Sequence, residues 1–511
     1  MSLKRLSMKL TRLCQLFLIA SLLLAVMGST PQPAFAAKAQ PVLVEMALQD
    51  PGQMVRVIVQ KADKATRVED MVARLGGQVL HDLGIINAFS AEMSAEAALK
   101  LARTVSVRWV SLDGSIEHSS KPIPDPNAPP NYYLDTLGVP DVWNMGLKGE
   151  GIGVAVIDSG IFTDRDFSTE VGSPHMRIVG MVNLNDEMKS VNDEYGHGTH
   201  VAGIIGGNGG SSPNTQYAGI APKVNLINLK VNDDTTGMCY ESNVVAALQW
   251  VYNNKDQYNI RVVNLSLNTT VEQSYNLSPM DAAVEILWFN GVVVVASAGN
   301  NGPAGGYNTS NASPANDPFI ITVGASEENG TSDRTDDNIG LYSAFGTTIN
   351  GFVKPDIIAP GTNIYSVLSN SSTWAVIYPD RKVLGGEYFR LSGTSMAAPM
   401  VTGAVVLLLQ DEPNLTPDQV KYRLTHTGET ITNDNVAYPY LNIYAAVTGT
   451  TTQSANTGIL PSQMLSTGTE PITWNSVGWN SVGWNSVGWN SVGWNSVGWN
   501  SVGWNSTYWG P

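Results

Sequence analysis

Short apolar runs alternate with helical patterns along the middle of the chain, from about residue 131 to 450. The runs are rich in β-branched residues, which is typical of strands buried on both faces of a parallel sheet. Strands are predicted at Val154–Ile157, Ile178–Val182, Val224–Leu229, Val262–Leu265, Val292–Ala296 and Ile320–Val323. Helices are predicted at His197–Ile205, Glu241–Tyr252, Pro279–Phe289, Ser395–Gln410 and Pro417–Thr425. This order indicates an α/β domain over 131–450, with a parallel sheet between two layers of helices.

Residues 37–120 show the pattern of a smaller, separate α+β domain. Its predicted elements are a strand at Met54–Gln60, a helix at Thr66–Leu75, strands at Gln78–Asp82 and Ala88–Met93, a helix at Ser94–Arg103, and a strand at Val105–Leu112. The order βαββαβ is that of a ferredoxin-like domain. Five prolines among residues 121–130 then predict an extended linker, because proline disfavours both helix and central strand.

The N-terminus has the features of an export signal. Lys4, Arg5, Lys9 and Arg12 precede an apolar run from Leu13 to Met27, and Ala34-Phe35-Ala36 resembles a cleavage site. The alternative is a membrane anchor, but the run contains Gln15 and is shorter than the roughly 20 residues of a spanning helix. The sequence therefore predicts a signal peptide over 1–36 and an exported product that is extracellular, either free or associated with the cell surface.

Composition and charge exclude several classes of protein. Hydrophobic residues make up 43% of the chain and charged residues 14%, so a large core can form. The net charge is 29 − 44 = −15, divided as 14 − 11 = +3 over 1–130 and 15 − 33 = −18 over 131–511. Such an acidic region should repel phosphate, and no nucleic-acid partner is expected. Cys239 alone survives removal of the signal, which excludes an internal disulfide. A packed or partly exposed thiol is expected there, and not a nucleophile.

The C-terminal region changes character at about residue 451. A Thr/Ser/Gly-rich linker is predicted over 451–475, followed by a tail over 476–511 with six copies of Ser-Val-Gly-Trp-Asn. A period of five places the tryptophans along no single face of a helix or strand. Two interpretations stay open. The tail is a disordered extension, or it is an adhesive module that stacks its rings on glycans or other cell-surface polymers.

Three residue types needed for nucleophilic catalysis occur at the ends of predicted elements. Asp158 ends a parallel strand, at the edge where open α/β sheets place their sites. His197 and Ser395 each begin a helix, where free backbone N–H groups face outward. A serine hydroxyl can attack a carbonyl if a histidine takes its proton and a carboxylate orients that histidine.

Each of these signals also has a simpler explanation. Asp158 alone could be a structural turn residue. His200 lies on the same helical face as His197, so a two-histidine metal site is an alternative, although no H-E-x-x-H pattern accompanies it. Gly149-Glu150-Gly151-Ile152-Gly153 precedes its strand and is a turn, not a dinucleotide-binding loop.

Four segments together decide between these explanations. VAVIDSGI, HGTHVAG, VVVVASAGN and SGTSMAAP resemble, in the same order, the motif blocks of the subtilisin-like serine peptidases, and KPDIIAPG resembles a further family segment. The resemblance covers about 131–450 and implies a three-layer subtilisin-like catalytic domain. It implies that Ser395 is the nucleophile, His197 the general base and acid, and Asp158 the orienting carboxylate. It further implies that Asn300 and the Ser395 N–H form the oxyanion hole.

The same resemblance implies a substrate-binding strand and an inhibitory N-terminal domain. Ser266, Leu267 and Asn268 are similar to the strand that pairs with the substrate backbone, but Asn268 stands where the family commonly has glycine. The unit at 37–120 occupies the position of the family's propeptide. The expected function is therefore a secreted serine endopeptidase that acts on proteins or peptides. It is expected to be made as a self-processing zymogen inhibited by its own propeptide, with a cut between about Asp113 and Asn131.

Expectations for cofactors follow from the chemistry and from the resemblance. The chemistry requires no cofactor. Structural Ca²⁺ is expected in some family members, but Asp166 matches a ligand position only loosely and residues 206–213 do not resemble the usual ligand loop, so any metal site is unknown. Residues 363–390 could form a loop over the cleft. The alternative function is a catalytically idle scaffold of the same fold that binds peptides or cell-surface polymers.

Overall fold

The computed structural model describes residues 38–62, 67–118, 132–302, 312–369, 371–433 and 436–465. They form two compact units. One holds the chain up to Leu80 together with Ala91–Leu112, and the other holds His81–Ser90 together with the chain from Asp113 onward. The predicted signal peptide, the proline-rich linker over 121–130 and the tail over 476–511 lie outside the described residues.

The N-terminal region contains every element predicted for it, with ends that differ by at most a few residues. Its elements are α1 (Pro41–Gln49), β1 (Met54–Lys61), α2 (Arg67–Arg74), β2 (Gln78–Leu83), β3 (Ala88–Ser94), α3 (Ala95–Ala102) and β4 (Val107–Leu112). The strands form a sheet of order β2-β3-β1-β4, in which β1 and β4 are antiparallel. Helix α1 was not predicted; it buries only Leu43 and Ala47, one turn apart, which is a weak periodic signal.

The region after Leu112 contains the remaining elements. They are β5 (Ser115–His118), α4 (Tyr133–Thr136), α5 (Val139–Asn144), β6 (Gly153–Asp158), β7 (Ile178–Asn183), α6 (His197–Gly206), β8 (Asn225–Lys230), β9 (Cys239–Tyr240), α7 (Glu241–Asn254), β10 (Ile260–Leu265), β11 (Leu267–Thr269), α8 (Pro279–Phe289), β12 (Val293–Ser297), β13 (Ile321–Glu327), β14 (Asn338–Ile339), β15 (Gly346–Thr347), β16 (Val353–Lys354), β17 (Ile357–Pro360), β18 (Ile364–Val367), α9 (Thr373–Ile377), β19 (Lys382–Val383), β20 (Tyr388–Leu391), α10 (Thr394–Asp411), α11 (Pro417–His426), β21 (Thr430–Asn433), β22 (Val436–Pro439) and α12 (Ile443–Thr448).

The central sheet has the order β14-β13-β12-β10-β6-β8-β7, and β17 also pairs with β13. The pairs β13/β12, β12/β10, β10/β6, β6/β8, β8/β7 and β13/β17 are parallel. All six predicted strands are present. Strand β17 was not predicted as a strand, because its four residues end in a proline, which is an unfavourable strand signal.

Helices cover the sheet in two groups. Helices α6 and α10 pack on each other and on the sheet, and α7 and α8 form a second packed pair that also contacts sheet strands. The predicted α/β class with a three-layer arrangement is therefore confirmed. In the described part of the chain, α10 is long and apolar enough to cross a membrane, but 89% of it is buried, as expected for a core helix.

The first part of the predicted linker over 451–475 packs against the rest of the second unit. The Glu285 carboxylate accepts a hydrogen bond from the Ser462 N–H, and the Tyr275 hydroxyl donates to the Leu460 carbonyl. Met464 and Leu465 are buried. The chain is thus anchored up to Leu465, and the rest of the predicted linker lies outside the described residues.

Candidate active site

A buried carboxylate and imidazole meet at the end of the central strand β6. Asp158 is the last residue of β6, and its Oδ1 accepts a hydrogen bond from the Ser159 N–H at 2.7 Å. His197 is the first residue of α6, and its Nδ1 lies 2.8 Å from Asp158 Oδ1. Both side chains are fully buried. The carboxylate therefore orients the ring and leaves Nε2 of His197 as the nitrogen available for chemistry.

Two glycines allow this approach of helix to strand. Gly196, before the helix, has φ of 109°, a left-handed conformation that favours glycine. A Cβ on Gly198 would lie 2.2 Å from the Gly160 carbonyl oxygen, so any side chain there would push α6 away from β6. The first glycine of the HGTHVAG motif is therefore explained by close packing of α6 on β6, in addition to the chemistry proposed for the histidine.

Asp193 fixes the start of α6 and was missed in the sequence. Its carboxylate accepts hydrogen bonds from the N–H groups of Gly196 and Thr199 at 2.7 and 2.8 Å, and from the Ser159 hydroxyl at 2.9 Å. It therefore ties the helix start to the residue after Asp158. The available signal was an acidic residue just before a predicted helix start, which is typical of a cap.

Ser395 lies in the first turn of α10, beside the substrate strand predicted from the sequence. Its hydroxyl donates to the Ser266 carbonyl at 3.0 Å, and the Ser266 hydroxyl donates back to the Ser395 carbonyl at 3.0 Å. Within the described ranges, Nε2 of His197 has no hydrogen-bond partner. The structure therefore joins Asp158 to His197 but does not join Ser395 to His197.

Asn300 presents a free donor near the start of α10. Its Oδ1 accepts hydrogen bonds from the Thr394 N–H at 2.9 Å and the Thr394 hydroxyl at 3.1 Å. These bonds fix the orientation of the amide. Its Nδ2 is buried and has no partner among the described residues. An unpaired buried N–H is costly unless a ligand or water uses it, so this group is available to an oxyanion.

Burial sets the ionisation of the Asp158–His197 pair. Removal from water lowers the pKa of His197 to about 3 and raises the pKa of Asp158 to about 6. At neutral pH the imidazole is therefore neutral and the carboxylate largely ionised. This is the combination that a general base and its orienting group require.

The chain's own strand β5 lies between β11 and β9 and was not predicted. In antiparallel register His118 pairs with Leu267, Glu117 with Asn268 and Ile116 with Thr269, and Ile116 also pairs with Cys239. The Asn268 amide is turned into the protein, where it donates to the Ser297 carbonyl at 3.0 Å. An extended segment thus adds a strand to this edge, as a bound peptide does.

His118, at the end of β5, lies next to the Asp158–His197 pair. Its ring centroid lies 3.9 Å from that of His197, and its Nδ1 lies 3.4 Å from the Ser266 carbonyl. The Tyr195 ring stacks with that of His118 at a centroid distance of 5.7 Å, and the Trp374 ring lies edge-on to that of His197 at 6.0 Å. Trp374 belongs to α9, within the predicted cleft loop 363–390. These three aromatic neighbours lie outside the four motifs, so the sequence carried no signal for them.

Two residues considered as alternative functional groups from the sequence, His200 and Cys239, are packed in the protein interior. His200 is buried, and its Nε2 lies 3.0 Å from the Phe389 carbonyl and 3.2 Å from the Ile364 carbonyl, so it bonds backbone. Cys239 is buried on β9, and burial raises the pKa of its thiol well above the ordinary value. A thiol that stays protonated is a poor nucleophile, as predicted.

The oxygens near Asp166 are engaged by protein groups. Its carboxylate accepts from the Ser211 N–H at 2.8 Å and the Tyr388 hydroxyl at 2.5 Å. Its backbone carbonyl, with those of Ser168, Gly206 and Val224, accepts from the buried Arg177 guanidinium. Here a side-chain cation lies where several carbonyls converge. The expectation of structural calcium therefore gains no ligand set at this position.

The chain is similar in sequence to known proteins. Residues 149–458 match the subtilase family. The chain is 38% identical over 284 residues to serine protease AprX of Bacillus subtilis, covering 54% of this chain and 60% of that protein. It is 30% identical over 373 residues to subtilisin NAT of Bacillus subtilis subsp. natto, covering 73% and 83%.

A solved structure supports the same fold. The crystal structure of fervidolysin from Fervidobacterium pennivorans, described as a keratinolytic enzyme related to subtilisin, aligns with a TM-score of 0.61 and 24% identity. The alignment covers 78% of this chain and 61% of that one. The chain thus spans about three fifths of the length of AprX and of fervidolysin.

The fold and the site define a three-layer α/β protein with a buried Asp–His pair beside a helix-terminal serine. The chain belongs to the subtilase family and resembles the subtilisin-like serine peptidases in sequence and fold.

Proposed function

We propose that this protein is a secreted serine endopeptidase that hydrolyses peptide bonds in protein substrates through an acyl-enzyme. The main supporting observation is the buried pair in which His197 Nδ1 lies 2.8 Å from Asp158 Oδ1. This pair lies next to β11, whose edge already pairs with the extended segment β5. In this proposal Ser395 is the nucleophile. Ser266, Leu267 and Asn268 bind the substrate backbone by adding it to β11 as a further strand.

The proposed chemistry follows from the protonation states. Neutral His197 takes the proton from the Ser395 hydroxyl as its oxygen attacks the substrate carbonyl carbon. Asn300 Nδ2 and the Ser395 N–H then stabilise the oxyanion. The imidazolium gives its proton to the leaving amine, and water repeats the sequence to release the acid. Asp158 stabilises the imidazolium throughout. The Ser395 hydroxyl must first turn from the Ser266 carbonyl towards His197.

We further propose that the chain is made as a zymogen that cuts itself. Pairing of β5 with β11 supports a cut after His118 and before Asn131, because β5 occupies the edge that a substrate strand would use. The released N-terminal unit would be an inhibitor of the same cleft.

Covalent labelling tests the proposed function. Phenylmethylsulfonyl fluoride should add one label per chain, and peptide mass mapping should place that label on Ser395. The rate of casein hydrolysis should fall in proportion to the fraction of labelled chains. Labelling on another residue, or none on folded protein, would support the idle-scaffold alternative. That alternative draws on one observation, the absence of a Ser395–His197 hydrogen bond in the described structure.

The acidity of His197 predicts different pH profiles before and after the cut. While β5 covers the site, burial holds the pKa of His197 at about 3 and raises that of Asp158 to about 6, so on acidification the carboxylate takes a proton before the ring does. Release of β5 exposes the ring to water, and its pKa should rise towards the ordinary value of about 6.5. We expect the acid limb of self-processing to lie near pH 6, set by Asp158, and that of casein hydrolysis to lie about half a pH unit higher, set by His197.

The two rates can be compared directly. Precursor refolded from urea into buffers of graded pH gives the processing rate by gel, and processed enzyme gives kcat/KM in the same buffers. Coincident acid limbs would contradict the predicted shift. Circular dichroism at each pH separates loss of fold from loss of the base.

The tail is proposed to attach the enzyme to the cell surface. Since the chain is anchored up to Leu465, ending it there should leave kcat/KM unchanged and lower the cell-bound share of activity severalfold. A matched control keeps the full length and replaces the repeat tryptophans by serine. An unchanged location in both variants would support the disordered-extension interpretation instead.

A further inference from the structure

Three side chains of types that can bind a metal lie together where β5 meets the Asp158–His197 pair. One ligand atom from each of His118, Asp158 and His197 lies within 4.8 Å of the other two. The exposed fractions of these side chains are 3%, 0% and 0%. His118 Nε2 and Asp158 Oδ2 have no hydrogen-bond partner within the described ranges. These unpaired buried atoms mark a place that a ligand would stabilise.

The donor set fits one class of ion. Two imidazole nitrogens and one carboxylate oxygen are the protein ligands of many zinc sites that keep a fourth position open. Calcium and magnesium instead prefer several oxygen ligands. His118 Nδ1 faces the Ser266 carbonyl and carries the proton there, so Nε2 keeps its lone pair for a metal.

The separations suit a tetrahedral ion after small side-chain movements. Asp158 Oδ1 lies 2.8 Å from His197 Nδ1 and 3.8 Å from His118 Nε2. Ligands held at about 2.0–2.1 Å in a tetrahedron lie about 3.3 Å apart, between these two values. We propose that the uncut precursor binds one Zn²⁺ between His118, Asp158 and His197, and that this ion holds the precursor inactive.

The inhibitory effect follows from the tautomer of His197. Zinc at Nδ1 takes the position of the proton that Asp158 now accepts, and that proton moves to Nε2. An imidazole with metal on one nitrogen and hydrogen on the other cannot accept a proton from Ser395. The Nδ1–H bond of His197 is exchanged for an Nε2–H bond, no bond between heavy atoms of the chain breaks, and a chelator reverses the effect. The inhibition rests on the proposed function, whereas the binding does not.

The site is specific to the precursor because its ligands come from both sides of the proposed cut. Asp158 and His197 stay with the catalytic region, but His118 precedes the proposed cut and would leave with the released N-terminal segment. Loss of one of three ligands should weaken zinc binding at least about 100-fold, since even groups that only hydrogen-bond to a zinc ligand contribute about 10–100-fold.

Direct binding tests the proposal without any reference to activity. The whole chain with Ser395→Ala, which keeps the precursor uncut, is freed of metal and titrated with ZnCl₂ by calorimetry. One Zn²⁺ per chain is expected. His118→Phe in the same background keeps a flat ring against His197 but has no nitrogen, and should lower the affinity at least about 100-fold. His175→Phe is the control, because His175 is exposed and is not one of the three proposed ligands.

The outcomes separate cleanly. Absence of binding, or equal affinity in the His118→Phe variant, would overturn the site. If His118→Phe fails to fold by circular dichroism, Asp158→Asn in the same background serves as the second ligand variant. For the inhibition, zinc should lengthen the processing half-time of wild-type precursor at least about tenfold, and a chelator should restore it. Binding without any processing or Ser395 labelling would refute the proposed function and leave the metal site standing.

Discussion

Replacing Ser395 by alanine should abolish both self-processing and casein hydrolysis. Without the hydroxyl no acyl-enzyme can form, and kcat should fall by about 10⁶-fold, the loss measured when the triad serine is removed from subtilisin itself. Folding should be unaffected, because the lost Ser395–Ser266 hydrogen bond is one of two between these residues. Gels, N-terminal sequencing and casein assays on wild type and variant measure the effect.

The control for this result is Ser173→Ala, which changes a serine outside the site. Its hydroxyl accepts from the Thr169 hydroxyl at 2.9 Å in a surface turn, so processing and activity should match wild type. N-terminal sequencing of the wild-type product also fixes the cut. Shedding of the N-terminal unit by the Ser395→Ala variant at the wild-type rate would rule out intramolecular processing by this serine.

Replacing Asn300 by aspartate should lower kcat by about 10²–10³-fold with little change in KM. The new side chain keeps the oxygen that accepts from the Thr394 N–H, but it loses the unpaired Nδ2 donor. The loss should therefore appear in the transition state, where the oxyanion forms, and not in substrate binding.

Steady-state kinetics on a peptide substrate give the two parameters separately. Asn254→Asp is the matched control, because that amide donates only to the Trp250 carbonyl at the end of a helix. A rise in KM with unchanged kcat would assign Asn300 to substrate binding and contradict the oxyanion role.

Much of the central fold was predictable because it rests on local patterns. The strands β6, β10 and β12 are continuous apolar runs, and such runs are recognisable without knowledge of their neighbours. The short β17 was missed because four residues carry little periodicity. Its place in the sheet depends on pairing with β13, which no local pattern encodes.

The site was predictable only as far as the motifs reach. Asp158, His197, Asn300 and Ser395 lie in recognisable segments, whereas His118 and Trp374 do not. Their positions result from pairing and packing between distant parts of the chain, such as the contact of His118 with His197. The direction of the Ser395 hydroxyl, towards Ser266, also depends on three-dimensional geometry that the motif leaves open.

The attachment of β5 to the rest of the chain gives it an advantage over any free peptide. It pairs with β9 and β11, which lie far downstream in sequence, yet it cannot diffuse away from them. A tethered ligand acts at a high effective concentration, which is set by the length and stiffness of its connection. Before the proposed cut, an external peptide would therefore have to compete against this concentration. After the proposed cut, β5 would become an ordinary dissociable ligand, and dilution alone would then favour the substrate.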